Sequence, residues 1–248
     1  MFRSPGLQFR LLGFPVRIEW TFFLVAALVG MRGASLQDIL VWMVAVLVSV
    51  LLHELGHALV IRRFGIHPEI VLYGMGGQTR YIPWRPLSHW QQIAISAAGP
   101  GTGLLVGGAI LWSVWHLGAP ERPILDSLVF SLIGINIVWS LVNLVPVFPL
   151  DGGHIMASII HLVRGTTRME LPLAISVVCG ATAAVVALYF HRIFAAILAG
   201  VFTYQSLMQL RASGAGLTRS EVRVIQIVLV LMAGLLLGGY WLLHGGSL

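Results

Sequence analysis

The sequence has no lysine and few charged residues of any kind. Charged side chains make up 10% of the 248 residues and hydrophobic ones 58%, whereas soluble domains carry about 25% charged residues. This composition excludes an ordinary soluble domain and predicts a polytopic membrane protein. The net charge of +6 comes from arginines that lie between the hydrophobic runs. We therefore relate it to membrane topology and not to nucleic-acid binding.

Cysteine is almost absent as well. The one cysteine, Cys179, lies in an apolar run, so no internal disulfide can form and the sequence gives no indication of the redox compartment. We expect it to be a small buried side chain.

Histidines and acidic residues are scarce, with nine of each, yet three of them occur together within the apolar residues 50–60. His53 and His57 are four residues apart and so share one face of a helix. They can reach one metal ion together, with Glu54 beside them. Two neutral imidazoles suit Zn²⁺, and an adjacent carboxylate can take a proton from an activated water. This HExxH arrangement is that of zinc metallopeptidases and predicts one zinc ion per chain, with Glu54 as catalytic base.

The alternative is a pair of histidines that simply form hydrogen bonds inside a helical bundle. From this composition the motif is expected by chance only about 0.01 times in such a chain. Ionisable side chains inside a membrane helix are also costly and are functional by default. Both considerations favour a metal site.

A second informative stretch is residues 143–154, where two prolines and two glycines interrupt an apolar run. Pro146 and Pro149 end or kink the preceding helix, and Asp151 lies in the break. Its carboxylate is well placed to be a third metal ligand. A helix N-cap role for Asp151 is an equally good interpretation, and the two roles are compatible. We do not expect His154 to be a ligand.

Residues 66–86 are rich in glycine and proline. They predict two short strands, residues 69–73 and 78–82, joined as a β-hairpin at the membrane surface or in a cavity. A plain structural loop is about equally compatible. The edge of such a hairpin could pair with an extended peptide. Residues 7–18 predict a short strand or surface segment.

Residues 97–103 combine small residues and a proline inside an apolar run. Small residues let membrane helices approach closely, and proline is tolerated where neighbouring groups satisfy the freed backbone. We expect this stretch to serve packing and not chemistry.

Seven apolar segments predict membrane spans, the first of them short. The second carries the HExxH motif, and the fourth ends at the break that holds Asp151. The segments cover residues 20–31, 39–61, 88–115, 128–148, 171–189, 193–210 and 222–243.

The arginines predict the orientation of these spans. With the N-terminus in the cytoplasm, twelve arginines face inwards and only Arg32, Arg122 and Arg192 face outwards, which agrees with the positive-inside rule. The second and fourth spans then both run inwards. His57 lies about 6 Å from the inner end of its span, and Asp151 follows the inner end of the other. We therefore expect both motifs near the cytoplasmic face.

Together the two motifs resemble the site-2 protease family of intramembrane zinc metallopeptidases. The resemblance extends over about residues 13–162. It is carried by these residues: His53, Glu54, His57, Asn143, Pro146, Pro149, Asp151 and Gly152. The chain departs from the family at Gly103, where many members carry an asparagine after an Ala-Gly-Pro stretch.

The resemblance implies roles for single residues. In the family two histidines and the aspartate of an Asp-Gly motif bind zinc, and the glutamate is the general base. His53, His57 and Asp151 are therefore the implied ligands here, and Glu54 the base. Asn143 is implied to position the substrate or to polarise its carbonyl.

The implied fold is an all-α polytopic membrane protein. We expect a single domain over residues 1–248, with a six-helix protease core at about 13–210, a small β-hairpin region after the second span, and an extra span at about 222–243. The implied activity is that of a zinc-dependent metalloendopeptidase of the EC 3.4.24 type in regulated intramembrane proteolysis. The substrate would be a membrane protein, cut within or next to a transmembrane helix. The expected location is the cell (inner) membrane, with the lipid bilayer and the substrate as partners and no nucleic acid.

Two readings from other classes remain open. A metal transporter would line a path across the bilayer with polar side chains, but the outer halves of these spans are almost wholly apolar. A catalytically silent zinc-binding scaffold would not need Glu54, which is intact. The oligomeric state and the substrate's identity do not follow from the sequence.

Overall fold

The computed structural model describes residues 6–31, 35–214 and 216–244, and for residues 231 and 233–244 it describes the backbone alone. The chain divides into two compact units, Met1–Leu144 and Val145–Leu248. Helices dominate both units, and one small sheet belongs to the first. This confirms the predicted class, a helical chain with a small β region after the second span.

The first unit holds four strands and four helices. Their order is β1 (Gly6–Leu11), β2 (Phe14–Glu19), α1 (Trp20–Gly30), α2 (Leu36–Arg63), β3 (Glu69–Tyr73), β4 (Gly76–Arg80), α3 (His89–Leu117) and α4 (Pro123–Asn143). Helix α2 packs against α1, α3, α4 and the last two strands. It is thus the central element of this unit.

The four strands form one mixed sheet in the order β1-β2-β3-β4. The predicted hairpin is present as β3–β4, joined at the turn between Tyr73 and Gly76. Its partner was not predicted: residues 7–18 form a second antiparallel hairpin, and β2 pairs with β3 in parallel. Alternate residues of β2 and β3 pack on one face of α2, as expected for a half-buried sheet. This core contains Phe14, Val16, Ile18, Phe22, Val50, Leu55, Ala58, Ile70 and Leu72.

Local sequence explains where the two longest helices of this unit begin. Ser35 and Asp38 form a reciprocal capping box at the start of α2, and Ser88 and Gln91 form one at the start of α3. Each box satisfies two backbone or side-chain donors that a helix start would otherwise leave open.

The second unit is helical throughout its described residues. It contains α5 (Asp151–Arg164), α6 (Glu170–Tyr189), α7 (Ile193–Ala212) and α8 (Arg219–His244). Helices α6 and α7 form an antiparallel pair over a core that includes Ile175, Cys179 and Phe202. An ion pair of 3.3 Å between Arg164 and Glu221 joins α5 to α8. Cys179 is buried, as predicted.

Five helices, α2, α3, α4, α6 and α7, are long and apolar enough to cross a membrane. The first predicted span is shorter than expected, because α1 has 11 residues and follows β2 directly. The fourth ends at Asn143 and not at residue 148, because the proline-rich segment after it cannot continue the helix. The seventh corresponds to α8, most of whose apolar side chains lie outside the described residues.

Candidate metal centre

The HExxH motif lies in the middle of the first unit's packing, near the C-terminal end of α2. His53, Glu54 and His57 are exposed by only 3%, 5% and 7%. Charged and polar groups at such depth are costly unless they have partners. Their surroundings therefore indicate what these side chains do.

The ring of His57 has a defined proton position. Its Nδ1 donates a hydrogen bond of 2.6 Å to the carbonyl oxygen of Ile95 on α3. Because a carbonyl can only accept, Nδ1 carries the proton, and Nε2 of the neutral ring keeps its lone pair. Metal-binding histidines commonly have their orientation and tautomer fixed in this way.

The two imidazoles face each other through their Nε2 atoms, which lie 3.2 Å apart. Two nitrogens held by one tetrahedral zinc ion at about 2.0–2.1 Å are separated by about 3.3 Å. The separation of the two Nε2 atoms therefore fits a shared zinc ion, as does their chemistry. The rings are inclined at 76° to each other, so that each lone pair can point at one position.

Space for the two ring ends comes from Gly99 on α3. A Cβ there would lie 2.7 Å from Nε2 of His53 and closer still to Nε2 of His57. On the α2 side, a Cβ at Gly56 would lie 2.5 Å from the carbonyl oxygen of Ala98. The small residues of α3 do serve close packing, as predicted. What they pack against is the pair of metal-binding imidazoles.

Glu54 is held from the opposite side by the sheet. The hydroxyl of Thr79 on β4 lies 2.7 Å from Oε2 of Glu54 and 3.1 Å from its main-chain oxygen. Gly77 lies against the same side chain, since a Cβ there would be 2.5 Å from both Cγ and Oε1. The hairpin thus contacts the proposed catalytic base directly.

Tyr73, at the end of β3, reports on the same environment. Burial raises the pKa of its phenol above the ordinary value, and the negative charge of Glu54 raises it further. The phenol therefore stays protonated and neutral at physiological pH. It adds no negative charge next to Glu54.

Asp151 belongs to the second unit, where it is the first residue of α5. The N-cap position is held by Leu150, and no side chain caps this helix end. The N-cap interpretation of Asp151 is therefore not what the structure shows. A carboxylate in the first turn is nevertheless favourable beside the positive end of the helix dipole.

The turn that precedes Asp151 is fixed by two contacts inside the second unit. The backbone N–H of Phe148 donates a 2.9 Å hydrogen bond to the hydroxyl of Ser176, which is fully buried on α6. Gly153 lets the turn lie on α5, because a Cβ there would be 2.8 Å from the carbonyl carbon of Val147. The position of Asp151 therefore depends on a glycine and on a serine from the next helix.

Asn143 is the last residue of α4, in the first unit. It is buried, and one hydrogen of its amide is donated to the carbonyl oxygen of Trp139, 2.9 Å away in the preceding turn. This bond leaves the second amide hydrogen and the amide oxygen for other partners. His154 makes an edge-to-face contact with the ring of Phe148.

Comparisons with known proteins agree with this geometry. The family model for peptidase family M50 matches residues 119–188. A zinc metalloprotease of Methanocaldococcus jannaschii is 30% identical over 159 residues, which are 61% of this chain and 44% of that protein. A protein of Synechocystis sp., provisionally named as a zinc metalloprotease, is 28% identical over 180 residues, 66% of this chain and 46% of its own. The chain thus spans less than half the length of these curated relatives.

The solved structure of the site-2 protease from Methanocaldococcus jannaschii shares the fold. It matches with a TM-score of 0.57 at 24% identity, over 83% of this chain and 95% of that one. The chain belongs to the site-2 protease family, peptidase family M50. The resemblance seen in the motifs is confirmed, and with its apolar helices this member of the family is an integral multi-pass membrane protein.

Three residues at the site of this site-2 protease homologue were not predicted as parts of it. Thr79 and Gly77 contact Glu54 from β4, and Gly99 makes room for the imidazoles. Both glycines lie in stretches whose small residues were noted, but nothing in the sequence pairs them with α2. The parallel pairing of β2 with β3, which places the hairpin, joins segments more than 50 residues apart.

Proposed function

We propose that this chain is an intramembrane zinc metalloprotease, a zinc-dependent metalloendopeptidase that hydrolyses peptide bonds within or next to transmembrane helices of membrane proteins. The observation that carries this proposal is the buried trio on α2. Two imidazole nitrogens lie 3.2 Å apart, one with its tautomer fixed, and a carboxylate follows the first of them in the chain. A zincin-type hydrolase needs this donor set.

The proposed ligands of one zinc ion are His53, His57 and Asp151. The two imidazole nitrogens and a carboxylate oxygen are the donor types such an ion requires. Three protein ligands leave a fourth position for water or substrate, as catalytic zinc sites do. A bound zinc ion supplies positive charge that acidifies water and stabilises negative charge on a carbonyl oxygen.

Glu54 is the proposed general base. Its carboxylate takes a proton from the attacking water and then delivers it to the nitrogen of the leaving amine. His57 keeps its Nδ1 proton throughout, because that proton is donated to Ile95. The remaining amide hydrogen of Asn143 is proposed to bind the substrate carbonyl and so to orient the scissile bond.

The substrate must present an extended backbone at this site, since a helix occupies its carbonyls in hydrogen bonds. Water must also reach the site, which requires a polar cavity open to one side of the membrane. From the arginine distribution we place that side, and the N-terminus, in the cytoplasm of a cell with the protein in its inner membrane. The resulting role is regulated intramembrane proteolysis.

The transporter and scaffold interpretations are not favoured. The relatives are named as proteases. Within the described residues the candidate ligands are confined to one end of α2 and the start of α5, whereas a transport path needs polar groups on both sides of the midplane. A silent scaffold has no need for a buried carboxylate held in place beside the imidazoles.

The test uses purified protein in detergent with a panel of single-span model substrates. Wild type and Glu54→Gln are compared for cleavage and for bound zinc. We expect cleavage by wild type only, with about one zinc per chain in both proteins, since the amide keeps the size of the side chain but cannot accept the proton. Absence of zinc from wild type, or cleavage by the Gln variant at the wild-type rate, contradicts the proposal.

A further inference from the structure

We propose that Thr79 is a positioning residue for Glu54, and that the β3–β4 hairpin therefore sets the orientation of the catalytic base. This inference rests on the proposed protease function and adds a residue to it. Thr79 lies 25 positions after Glu54 on the edge strand of the sheet. Its role follows from the contacts of one carboxylate.

The first contact is a hydrogen bond to a charged acceptor. The Thr79 hydroxyl has one hydrogen to donate, and the shorter of its two contacts, 2.7 Å, is to Oε2 of Glu54. Hydrogen bonds to a carboxylate are short and strong. Rotation of the carboxylate about its last bond would break this contact, so the hydroxyl holds Oε2 and leaves Oε1 to accept a proton.

The second contact restricts the rest of the side chain. Gly77 lies two residues before Thr79, on the same face of β4. Its missing Cβ leaves room for Cγ and Oε1 of Glu54, each of which would lie 2.5 Å from such an atom. A glycine that permits the carboxylate and a threonine that binds it therefore act on opposite parts of one side chain.

The hairpin is itself fixed to the helices, so the orientation is transmitted from a rigid frame. Its β3 strand is buried and pairs with β2, and the N–H of Gly74 in the turn donates a 3.2 Å hydrogen bond to the hydroxyl of Thr21 on α1. Thr21 holds the turn without contacting Glu54 in the described structure. It therefore offers a matched control for the loss of a threonine hydroxyl.

The activity test compares Thr79→Val, Thr79→Ser and Thr21→Val. Valine keeps the shape of threonine but removes the hydroxyl, whereas serine keeps the hydroxyl. We expect Thr79→Val to lower kcat about 10- to 100-fold, the usual cost of losing a group that orients a catalytic side chain. KM and zinc content should stay at wild-type values. Thr79→Ser should restore most of kcat, and Thr21→Val should stay within a few-fold of wild type.

A second measurement needs no catalysis. Hydrogen–deuterium exchange of the hairpin amides, residues 69–80, is followed in Thr79→Val, in Glu54→Ala and in the double variant. If the hydroxyl bonds the carboxylate, each single change speeds hairpin exchange, and the double variant exchanges no faster than the single ones. Additive effects would show that the two side chains are not coupled and would overturn the proposal.

The outcomes separate this inference from the function it rests on. Wild-type kcat in Thr79→Val, a change confined to KM, or an equal loss in Thr21→Val overturns the role of Thr79 while the protease stands. No cleavage by zinc-loaded wild type on any substrate overturns the protease function and the role of Thr79 in it, whereas the exchange measurement still decides whether the contact exists.

Discussion

The two imidazoles of α2 and the carboxylate of Asp151 are held by opposite kinds of structure. His53 and His57 lie inside a helix of 28 residues, with α3 on one side of the motif and the sheet on the other. Asp151 opens a helix of 14 residues, directly after a non-helical turn. In the first case helix periodicity and close packing determine the ligand position. In the second, a turn and a few hydrogen bonds do.

This difference predicts how each part fails. Damage to the packing around α2 should remove metal binding outright, because the imidazoles have no alternative position inside a dense interior. Damage to the turn before Asp151 should weaken binding and activity by degrees, because a turn can shift while its helix stays folded. The four changes that follow test this contrast, from the largest expected effect to the smallest.

Replacing a ligand gives the largest effect. His57→Ala removes one of two imidazoles and should reduce bound zinc to background and cleavage by about 10⁴-fold or more, as losses of core catalytic groups do. Metal analysis and the cleavage assay measure both. His116→Ala, an exposed histidine on α3, serves as control and should keep both. Retention of zinc by His57→Ala would remove this residue from the ligand set.

Filling the space between α2 and α3 comes next. Gly99→Ala places a methyl group against both Nε2 atoms and should abolish zinc binding while the helices stay folded. Gly101→Ala is the matched control, since it lies two residues away on the same helix with open space around it. Zinc titration of both variants, with circular dichroism for folding, makes the comparison. Equal zinc affinities would show that the imidazoles do not depend on this glycine.

The corresponding change in the second unit is Gly153→Ala. Its methyl group meets the backbone at Val147 and Phe148, so the turn before Asp151 must shift by a few tenths of an ångström or more. We expect cleavage to fall about 10- to 100-fold, with zinc bound more weakly but still detectably. Gly200→Ala on α7, in open space, should behave as wild type. A complete loss of zinc in Gly153→Ala would remove the contrast between the two parts.

The smallest effect is expected from Ser176→Ala. It leaves the buried N–H of Phe148 without its acceptor, which costs about 1–3 kcal/mol of the free energy of unfolding. Cleavage should fall only a few-fold. Ser206→Ala removes the hydroxyl bonded to Ser176 but leaves the acceptor in place, so a smaller loss is expected. Thermal unfolding in detergent, with and without zinc, would rank the two; a larger loss in Ser206→Ala contradicts this account.

The contrast also explains what the sequence could predict. An i, i+4 pair of histidines and a glutamate can be read directly, because helix geometry relates them locally. The break at Pro146 and Pro149 is local too. The capping boxes that start α2 and α3 lie in plain sequence as well, although they were not used.

What could not be predicted depends on contacts between distant segments. The bond between Thr79 and Glu54 exists only because β2 pairs in parallel with β3, and no periodicity in either strand specifies that partner. The function of Gly99 depends on which helix faces it. The end of α4 at Asn143, five residues before the predicted end, depends on proline effects that extend to the residues before each ring.

Helix α1 has a consequence for the lipid around it. At 11 residues it is about 16 Å long, roughly half the thickness of the hydrocarbon core. Because β2 ends at Glu19 and α1 begins at Trp20, no linker can make up the difference. Either the bilayer becomes thinner beside α1 or the sheet lies within its thickness. Such hydrophobic mismatch costs a fraction of a kcal/mol per ångström, and a neighbouring helix with a short apolar segment would match the thinned bilayer better than a long one.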